Sequence, residues 1–249
     1  MGVISPRQRA YLRALGIPLW RRQAAPGQYA AESDAPAALP ARQTAPAPSA
    51  DSVAQAAPVI AGSDWSELEA AVSGCRACGL CESRTRTVFG VGNREADWMI
   101  IGEAPGAEED RQGKPFVGRA GQLLDKMLLA VGLRRDQVFV ANLLKCRPPG
   151  NRDPKPEEAL ACQAYLARQI ALVRPRILLS VGRVSAQHLL ASDTPVGRLR
   201  GTVHRHPDSA LPVVVTYHPA YLLRKPVEKR KAWDDLQLAR DTLKKNPSP

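Results

Sequence analysis

Four runs of apolar residues recur along the chain between residues 98 and 217. Because their apolar positions are continuous rather than alternating, each run is typical of a strand covered on both faces of a parallel sheet. The runs are "WMIIGE" (98–103), "QVFVAN" (137–142), "RILLSV" (176–181) and "PVVVTY" (212–217). Helical periodicity lies between and after them, over residues 120–131, 156–173, 184–191 and 233–245. We therefore predict a three-layer α/β/α domain whose central parallel sheet has about four strands joined by right-handed crossovers.

Polar residues stand at the carboxyl ends of these predicted strands. Glu103 ends the first strand, Asn142 ends the second, and His218 comes just after the fourth. In open parallel sheets a ligand binds beyond the carboxyl ends of the strands. The three side chains are therefore candidates for one site, although Glu103 has an alternative role as a helix cap and Asn142 as a turn residue.

The composition divides the chain into three regions. Residues 1–23 form a short amphipathic basic segment in which large apolar residues stand among five arginines. Residues 24–62 are dominated by Ala, Pro, Ser and Gln, and they contain too few large apolar groups to offset the entropy of ordering. We predict that they form a disordered linker. Residues 63–246 have the composition of a globular protein and are long enough for one sizeable domain.

The charge of the 249-residue chain favours a polyanionic partner. Its formal net charge is +11, and nucleic acid is the first such partner to consider. The alternative is a basic surface that only keeps the protein soluble. No apolar stretch reaches the roughly 18 residues that span a bilayer, and the N-terminus lacks the apolar core of a secretory signal. We therefore expect no membrane association and a cytoplasmic, nucleoid-associated protein.

Five cysteines in this compartment are more typical of metal ligands or buried thiols than of disulfides. Cys75, Cys78 and Cys81 lie in "CRACGLC", and Cys146 and Cys162 follow later in the chain. A CxxC turn brings two thiolates within reach of one metal centre, and the second pair would complete a set of four. Four thiolates suit zinc or an iron–sulfur cluster. The alternative is that Cys146 and Cys162 are small core residues. The missing CxxCP ending argues against a ferredoxin.

Three motifs together resemble the family 4 uracil-DNA glycosylases, the iron–sulfur type. They are "GEAPG…EED…GKPFVGRAG" within 102–121, "NLLKCRPPGNRDP" at 142–154 and "HPAYLLR" at 218–224, in the order of that family. Over roughly residues 65–244 the resemblance implies the uracil-DNA glycosylase fold and hydrolysis of the N-glycosidic bond of deoxyuridine in single- or double-stranded DNA. It also implies a structural [4Fe–4S] cluster, with Cys81 as a nearby thiol, and we expect a monomer. The implied ligands are Cys75, Cys78, Cys146 and Cys162.

The resemblance also gives roles to the residues of a pocket for a base flipped out of DNA. Glu103 would orient or deprotonate the attacking water, and His218 would donate to O2 of the leaving uracil. Asn142 would pair with uracil N3–H and O4, Phe116 would stack on the ring, and Glu109 would exclude the methyl group of thymine. The backbone of the turn that contains Gly102, Ala104 and Gly106 would assist as in an oxyanion hole.

Apolar and basic residues near these motifs are candidates for contact with DNA. "HPAYLLR" is predicted to form a loop that enters the minor groove, where Leu222 or Leu223 would fill the space left by the flipped base. Arg224 and Arg147 would bind phosphate, with Arg152 beside them. The alternative for each cation is a solvated surface.

The segment "RQRAYLRALGIPLWRRQ" at residues 7–23 lies outside the glycosylase-like region. It resembles the N-terminal peptide of the psi subunit of the bacterial DNA polymerase III clamp loader. This resemblance implies docking on the clamp loader or another replisome protein, with the predicted linker as a tether. The alternative is a small helix that packs on the enzyme's own core or touches DNA.

Three other functions share parts of this pattern. A sister branch of glycosylases would act on other deaminated bases. A non-catalytic protein would bind uracil-DNA as a sensor or replisome adaptor, and a zinc-bound module would bind nucleic acid as a structural element. Glu103 directly after Gly102 favours the uracil branch, and the combination of Glu103, Asn142 and His218 favours an enzyme.

Overall fold

The computed structural model describes residues 60–245, in which a six-stranded sheet lies between two layers of helices. The predictions for the basic segment 1–23 and for residues 24–59 of the linker lie outside the described residues. Within residues 60–245, none of the helices is both long enough and apolar enough to cross a membrane.

The four predicted strands form the centre of the sheet and run parallel to one another. They are β2 (Trp98–Gly102), β3 (Phe139–Asn142), β4 (Ile177–Val181) and β6 (Pro212–Thr216). Two edge strands that the sequence does not predict, β1 (Val91–Gly92) and β5 (Val203–Arg205), pair antiparallel to them in the order β1-β3-β2-β4-β6-β5. The edge strands are short and partly exposed, so they lack the continuous apolar run that identifies the buried strands.

Helices connect the strands and cover both faces of the sheet. In chain order they are α1 (Trp65–Ser73), α2 (Leu80–Ser83), α3 (Ala107–Gln112), α4 (Arg119–Ala130), α5 (Pro156–Val173), α6 (Arg183–Leu189), α7 (Val196–Leu199), α8 (Pro219–Arg224) and α9 (Lys229–Lys245). Three short 3₁₀ turns lie at Arg135–Gln137, Pro149–Asn151 and Pro226–Glu228. The four predicted helices correspond to α4, α5, α6 and α9. The bounds of α5 are as predicted, and the other three differ only at their ends, where the periodic signal is weakest.

Alternating side chains of each strand enter two separate cores. Met99 and Ile101 of β2 pack with α5, α6 and α7 on one face, whereas Trp98 and Ile100 pack with α4, α8 and α9 on the other. Because side chains alternate across a strand, both faces must be covered for a run of this kind to be wholly apolar. The structure therefore confirms the predicted three-layer α/β/α fold class.

The folded region begins earlier than the sequence predicts. Residues 60–62 form a helical turn, and Ile60 is buried against Leu68 and Val72 of α1 and Tyr165 of α5. The prediction that the linker extends to residue 62 is therefore wrong at its end. A single isoleucine after a long Ala- and Pro-rich stretch gives no periodic signal, so only its tertiary contacts identify it as core.

The strand register brings the carboxyl ends of the central strands to one edge. Gly102 of β2 pairs with Asn142 of β3, and Val181 of β4 pairs with Thr216 of β6. Beyond the sheet, the amide of Leu144 donates to the carbonyl oxygen of Glu103 at 3.0 Å. Residues that follow β2, β3 and β6 therefore meet above the sheet, as expected for a ligand site in this architecture.

Candidate active site

A pocket of about 440 Å³ opens at this edge of the sheet. Its volume is in the range of small-molecule sites, and it is large enough for a single flipped base. It brings together eight of the residues that the sequence singled out: Glu103, Ala104, Gly106, Glu109, Phe116, Asn142, His218 and Arg224. The rest of the wall is formed by residues for which the sequence predicts no role in the pocket: Pro105, Ala120, Pro148, Asn151, Arg152, Ala220 and Tyr221.

Asn142 presents a buried side-chain oxygen without a partner. The residue is only 2% exposed, and its Oδ1 accepts no hydrogen bond from the described residues. A Cβ on Gly102 would lie 2.4 Å from Oδ1, so glycine at this position is what leaves room for the amide. Buried acceptors are almost always satisfied in folded proteins. An orphaned acceptor in a pocket wall therefore indicates that a ligand donor completes it.

A buried lysine holds the backbone of Asn142 from below. Lys145 Nζ donates to the carbonyl oxygen of Asn142 at 2.7 Å and to Oε1 of Gln169 at 2.6 Å, and Gln169 Nε2 donates to the carbonyl oxygen of Phe89 at 2.9 Å. Lys145 is 1% exposed, and burial lowers its pKa to about 8. This chain of bonds fixes the end of β3 from which the Asn142 side chain extends.

Phe116 sits in a strained conformation against the pocket. Its φ of 53° lies in the left-handed region that non-glycine residues rarely adopt. A Cβ on Gly121 would lie 1.8 Å from the carbonyl oxygen of Phe116, so the loop folds this tightly only over glycine. The ring stacks on that of His218 with centroids 5.6 Å apart. Such strain persists where the surrounding structure enforces it, typically at functional sites.

Glu109 closes the loop that carries Phe116. Its Oε1 accepts hydrogen bonds from the amides of Val117 at 2.9 Å and Gly118 at 3.1 Å. The carboxylate therefore positions the aromatic loop in addition to lining the pocket. The predicted role of Glu109 in excluding the thymine methyl stays a prediction.

His218 caps α8 and is held as a neutral imidazole. Its Nδ1 accepts the amide N–H of Ala220 at 3.1 Å. The pKa of His218 is lowered to about 4, chiefly by burial and also by the positive charge of Arg224, whereas the negative charge of Glu109 opposes the shift. Because Nδ1 is an acceptor, the single proton of the neutral ring lies on Nε2, which is therefore a hydrogen-bond donor.

Glu103 is half-buried and lines the pocket. Its carboxylate oxygens accept no hydrogen bond from any of the described residues. Burial raises its pKa above the ordinary value, the neighbouring Asp153 raises it further, and Arg183 lowers it. Asp153 and Arg183 themselves form an ion pair at the rim. A carboxylate with free lone pairs beside a pocket is suited to orient a water molecule.

The segment 218–224 corrects two predictions. It is the short helix α8 rather than a loop, because His218 caps it and Pro219 is favourable at a first helical position. Leu222 is fully buried in the core between α4 and α9, so its prediction as a DNA-contacting residue is wrong. Leu223 is 37% exposed and Arg224 lines the pocket mouth, so both stay candidates.

The loop from Cys146 to Lys155 forms one wall of the pocket. Arg147 Nε donates to Oδ1 of Asn151 at 2.7 Å, and Arg152 makes two hydrogen bonds to the Glu158 carboxylate. Arg147 does not line the pocket itself, but its hydrogen bond holds Asn151, which does. The sequence marks this wall only as the motif "CRPPGNRDP", because basic and turn-forming residues give no periodic signal.

The predicted ligand cysteines lie close enough to influence one another. Burial raises the pKa of Cys78 to about 11, with smaller contributions from Cys146 and Cys75. Burial likewise raises the pKa of Cys162 to about 12, with contributions from Cys146 and Cys78. The guanidinium of Arg84 donates to Sγ of Cys146 at 3.1 Å. Within residues 60–245, no three His, Cys, Asp or Glu side chains are arranged to hold a metal ion.

Comparison with known proteins identifies relatives of this site and fold. Residues 89–237 match the sequence profile of the Uracil DNA glycosylase superfamily. A type-4 uracil-DNA glycosylase of Archaeoglobus fulgidus is 44% identical over 161 residues, which cover 62% of this chain and 81% of that protein. The type-4 enzyme of Saccharolobus solfataricus is 41% identical, covering 70% of this chain and 83% of that protein. That of Thermotoga maritima is 38% identical, covering 70% and 92%.

Proposed function

The chain belongs to the uracil DNA glycosylase superfamily, and from this premise we propose how its pocket recognises and releases uracil. The chain is a hydrolytic uracil-DNA glycosylase of DNA repair. Its reaction adds water to C1′ of deoxyuridine and breaks the C1′–N1 bond, which leaves an abasic site and free uracil.

The orphaned oxygen of Asn142 is the observation that carries the proposal. Uracil presents N3–H as a donor and O4 as an acceptor, and an amide side chain matches both with its oxygen and its N–H₂ group. Cytosine presents the reversed pattern and does not match the amide in the orientation that the structure shows. Sites built around such hydrogen bonds reject mismatched ligands by roughly 10⁴-fold.

His218 stabilises the leaving group in this proposal. Negative charge grows on O2 of uracil as the C1′–N1 bond breaks. The Nε2–H of a neutral imidazole is a donor that needs no net charge of its own, and the low pKa of His218 keeps the ring neutral at physiological pH. One such preorganised donor contributes about 3 kcal/mol to the transition state.

Glu103 acts on the other side of the breaking bond. As uracil leaves, the sugar becomes cationic at C1′, and a nearby carboxylate favours that charge. The same carboxylate has lone pairs available to orient the attacking water. Phe116 holds the base by stacking, which contributes about 1–3 kcal/mol but does not distinguish one base from another.

A direct assay tests this function. The full chain is incubated with single-stranded and duplex oligonucleotides that contain U, hypoxanthine, C or T, and abasic sites are cleaved with alkali. We expect strand cleavage with U and none with C or T. Hypoxanthine also has an N–H beside a carbonyl, so its arm tests whether the pocket accepts a purine. Absence of cleavage at U under all conditions would reject the proposal.

We propose that Cys75, Cys78, Cys146 and Cys162 hold a [4Fe–4S] cluster. Four thiolates give such a cluster a net negative charge, and the cations Arg84 and Lys145 lie beside them, which supports the fit. When bound, the cluster would supply a rigid cross-link between the turn at residues 75–81, the pocket-wall loop and α5. Cys81 lies near the set and contributes to the raised pKa of Cys146.

Cluster binding has a spectroscopic test. We expect the purified chain to be brown, to absorb at about 400 nm, and to contain iron and sulfide. Cys162→Ser should lose the absorption and unfold at a lower temperature, because a buried ligand and cross-link are removed. Cys81→Ser is the matched control and should retain the iron of the wild type. Equal loss of iron from both variants would contradict the proposed ligand set.

The rim ion pair gives a pH test of Glu103. Arg183 lowers the pKa of Glu103 and Asp153 raises it. If ionised Glu103 is required, Arg183→Gln should move the acid limb of kcat to higher pH, and Asp153→Asn should move it to lower pH. Because both side chains are largely exposed, we expect shifts on the order of half a pH unit.

Two controls accompany this measurement. Arg111→Gln and Glu108→Gln remove the same charges from an exposed ion pair on α3 and should leave the acid limb unchanged. Glu103→Gln should abolish the limb together with most of the activity. Shifts of the same sign in the two rim variants would mean that another group controls the limb.

The replisome-binding prediction concerns residues 7–23, which lie outside the described residues. It stays a proposal based on sequence resemblance. Retention of clamp-loader subunits by a peptide of residues 1–25, with loss of retention on Trp20→Ala, would support it.

A further inference from the structure

A second concavity lies between α4 and α9, separate from the catalytic pocket. It has a volume of about 190 Å³, and the two sites share no lining residue. Met127 of α4 and Trp233 and Leu236 of α9 form its walls, and Leu222 of α8 lies in its lining. We call it the α4–α9 groove.

The groove is large enough for one apolar side chain. A cavity of about 150 Å³ lined by apolar side chains can bind benzene, so 190 Å³ accommodates an aromatic or branched side chain. Apolar concavities on protein surfaces that no intramolecular group fills are characteristic of interaction sites.

Two lysines give the groove a positive charge. Lys126 lines it from α4 and Lys229 from α9, and both are exposed. Neither has a hydrogen-bond or ion-pair partner within residues 60–245. The acids next to them in sequence are already engaged, because Asp125 pairs with Arg135 at 3.0 Å and Glu228 pairs with Lys231 at 2.9 Å.

We propose that the α4–α9 groove docks a partner protein through a short acidic segment. One aromatic or branched side chain of that segment enters between Met127 and Trp233, and its carboxylates pair with Lys126 and Lys229. This mode combines an apolar anchor with flanking charges, as in other peptide-binding grooves.

Charge argues against two other occupants. Residues 7–23 of the same chain contain five arginines and no acidic residue, so they would place like charges beside the two lysines. A DNA backbone would pair with the lysines but would leave the apolar walls exposed. An acidic peptide with an apolar anchor satisfies both features.

The position of α8 makes the two sites compatible. Leu222 lies in the groove, whereas Arg224, two residues later, lines the mouth of the catalytic pocket. Residues two apart on a helix point to roughly opposite sides of it. A peptide docked in the groove therefore leaves the catalytic pocket open.

Fluorescence anisotropy with defined peptides tests the proposal on the full-length chain. The probe is a fluorescein-labelled peptide in which Asp and Glu surround a Phe-Leu pair. Two control peptides replace its acids by Lys or its Phe-Leu pair by Ser-Ser. We expect the probe to bind and neither control peptide to bind. The affinity of the probe should fall as salt increases, because the ion pairs with the two lysines are exposed to solvent.

Charge-reversal variants locate the binding. Lys126→Glu combined with Lys229→Glu should weaken probe binding about tenfold or more, since two favourable pairs become repulsive. Lys244→Glu combined with Lys245→Glu makes the same change in net charge at the far end of α9 and should change binding less than about twofold. Both double variants should keep wild-type glycosylase activity on a short oligonucleotide, which shows that they are folded.

Two results would overturn the proposal. One is probe binding that is absent or insensitive to the groove variant. The other is a groove variant that loses affinity for uracil-free duplex DNA instead, which would identify the groove as a DNA contact. Neither result bears on uracil release, so the proposed function is tested separately.

Discussion

Replacing His218 with alanine is expected to lower kcat for uracil release by about 10²–10³-fold with little change in KM. In the proposed mechanism the Nε2–H donor acts on charge that develops only in the transition state, and loss of one such donor has an effect of this size. Single-turnover assays on a uracil-containing oligonucleotide measure the chemical step directly. An equal rise in KM would show instead that His218 mainly holds the substrate.

Two further variants separate chemistry from structure at this position. His218 also caps α8 through Nδ1, so the alanine variant loses a cap that is worth about 1 kcal/mol. His218→Ser can keep a capping acceptor but cannot reach the base, so it should recover thermal stability without recovering kcat. His206→Ala, at a half-buried site that does not line the pocket, should keep the wild-type kcat. Recovery of kcat in the serine variant would refute the donor role.

Replacing Asn142 with aspartate is expected to lower kcat/KM for uracil by about 10³-fold or more. The carboxylate has no N–H to donate to O4 and places an acceptor against it, so a buried polar pair becomes repulsive. The comparison of kcat/KM for U- and C-containing strands measures the loss of discrimination. Because the new carboxylate would be buried without a partner, we also expect a lower melting temperature, and kcat/KM is measured well below it.

The same pocket offers a matched control for this substitution. Asn151 also lines the pocket, but its Oδ1 already accepts Arg147 Nε. Asn151→Asp should therefore retain the selectivity for uracil. If Asn151→Asp lost discrimination as strongly as Asn142→Asp, the recognition role would belong to the pocket charge in general and not to the Asn142 amide.

Sequence patterns predicted the parts of the fold that carry a strong periodic signal. The four buried strands and the long helix α5 are recovered because wholly apolar runs and helical periodicity extend over many residues. The edge strands β1 and β5 and the early start at Ile60 were missed, because each depends on contacts with distant residues.

Side-chain direction explains most of the remaining differences at the site. The motifs identify eight of the residues that line the pocket, and the carboxyl ends of β2, β3 and β6 bring them together. They do not show that Leu222 turns inward while Leu223 turns outward, because that choice depends on where α8 packs. Likewise, the rim pair Asp153–Arg183 joins residues 30 positions apart and has no signature in either motif.

The buried lysine beneath Asn142 has a consequence for any attempt to redesign base choice. Its Nζ has no carboxylate partner among the described residues and donates to a main-chain carbonyl and to the Gln169 amide oxygen. We therefore propose that base selectivity depends on the Asn142 side chain and also on the buried Lys145–Gln169 contacts that hold its backbone. A substitution at Asn142 alone leaves the Lys145 contacts unchanged, so the new side chain must fit a backbone position that is fixed for asparagine.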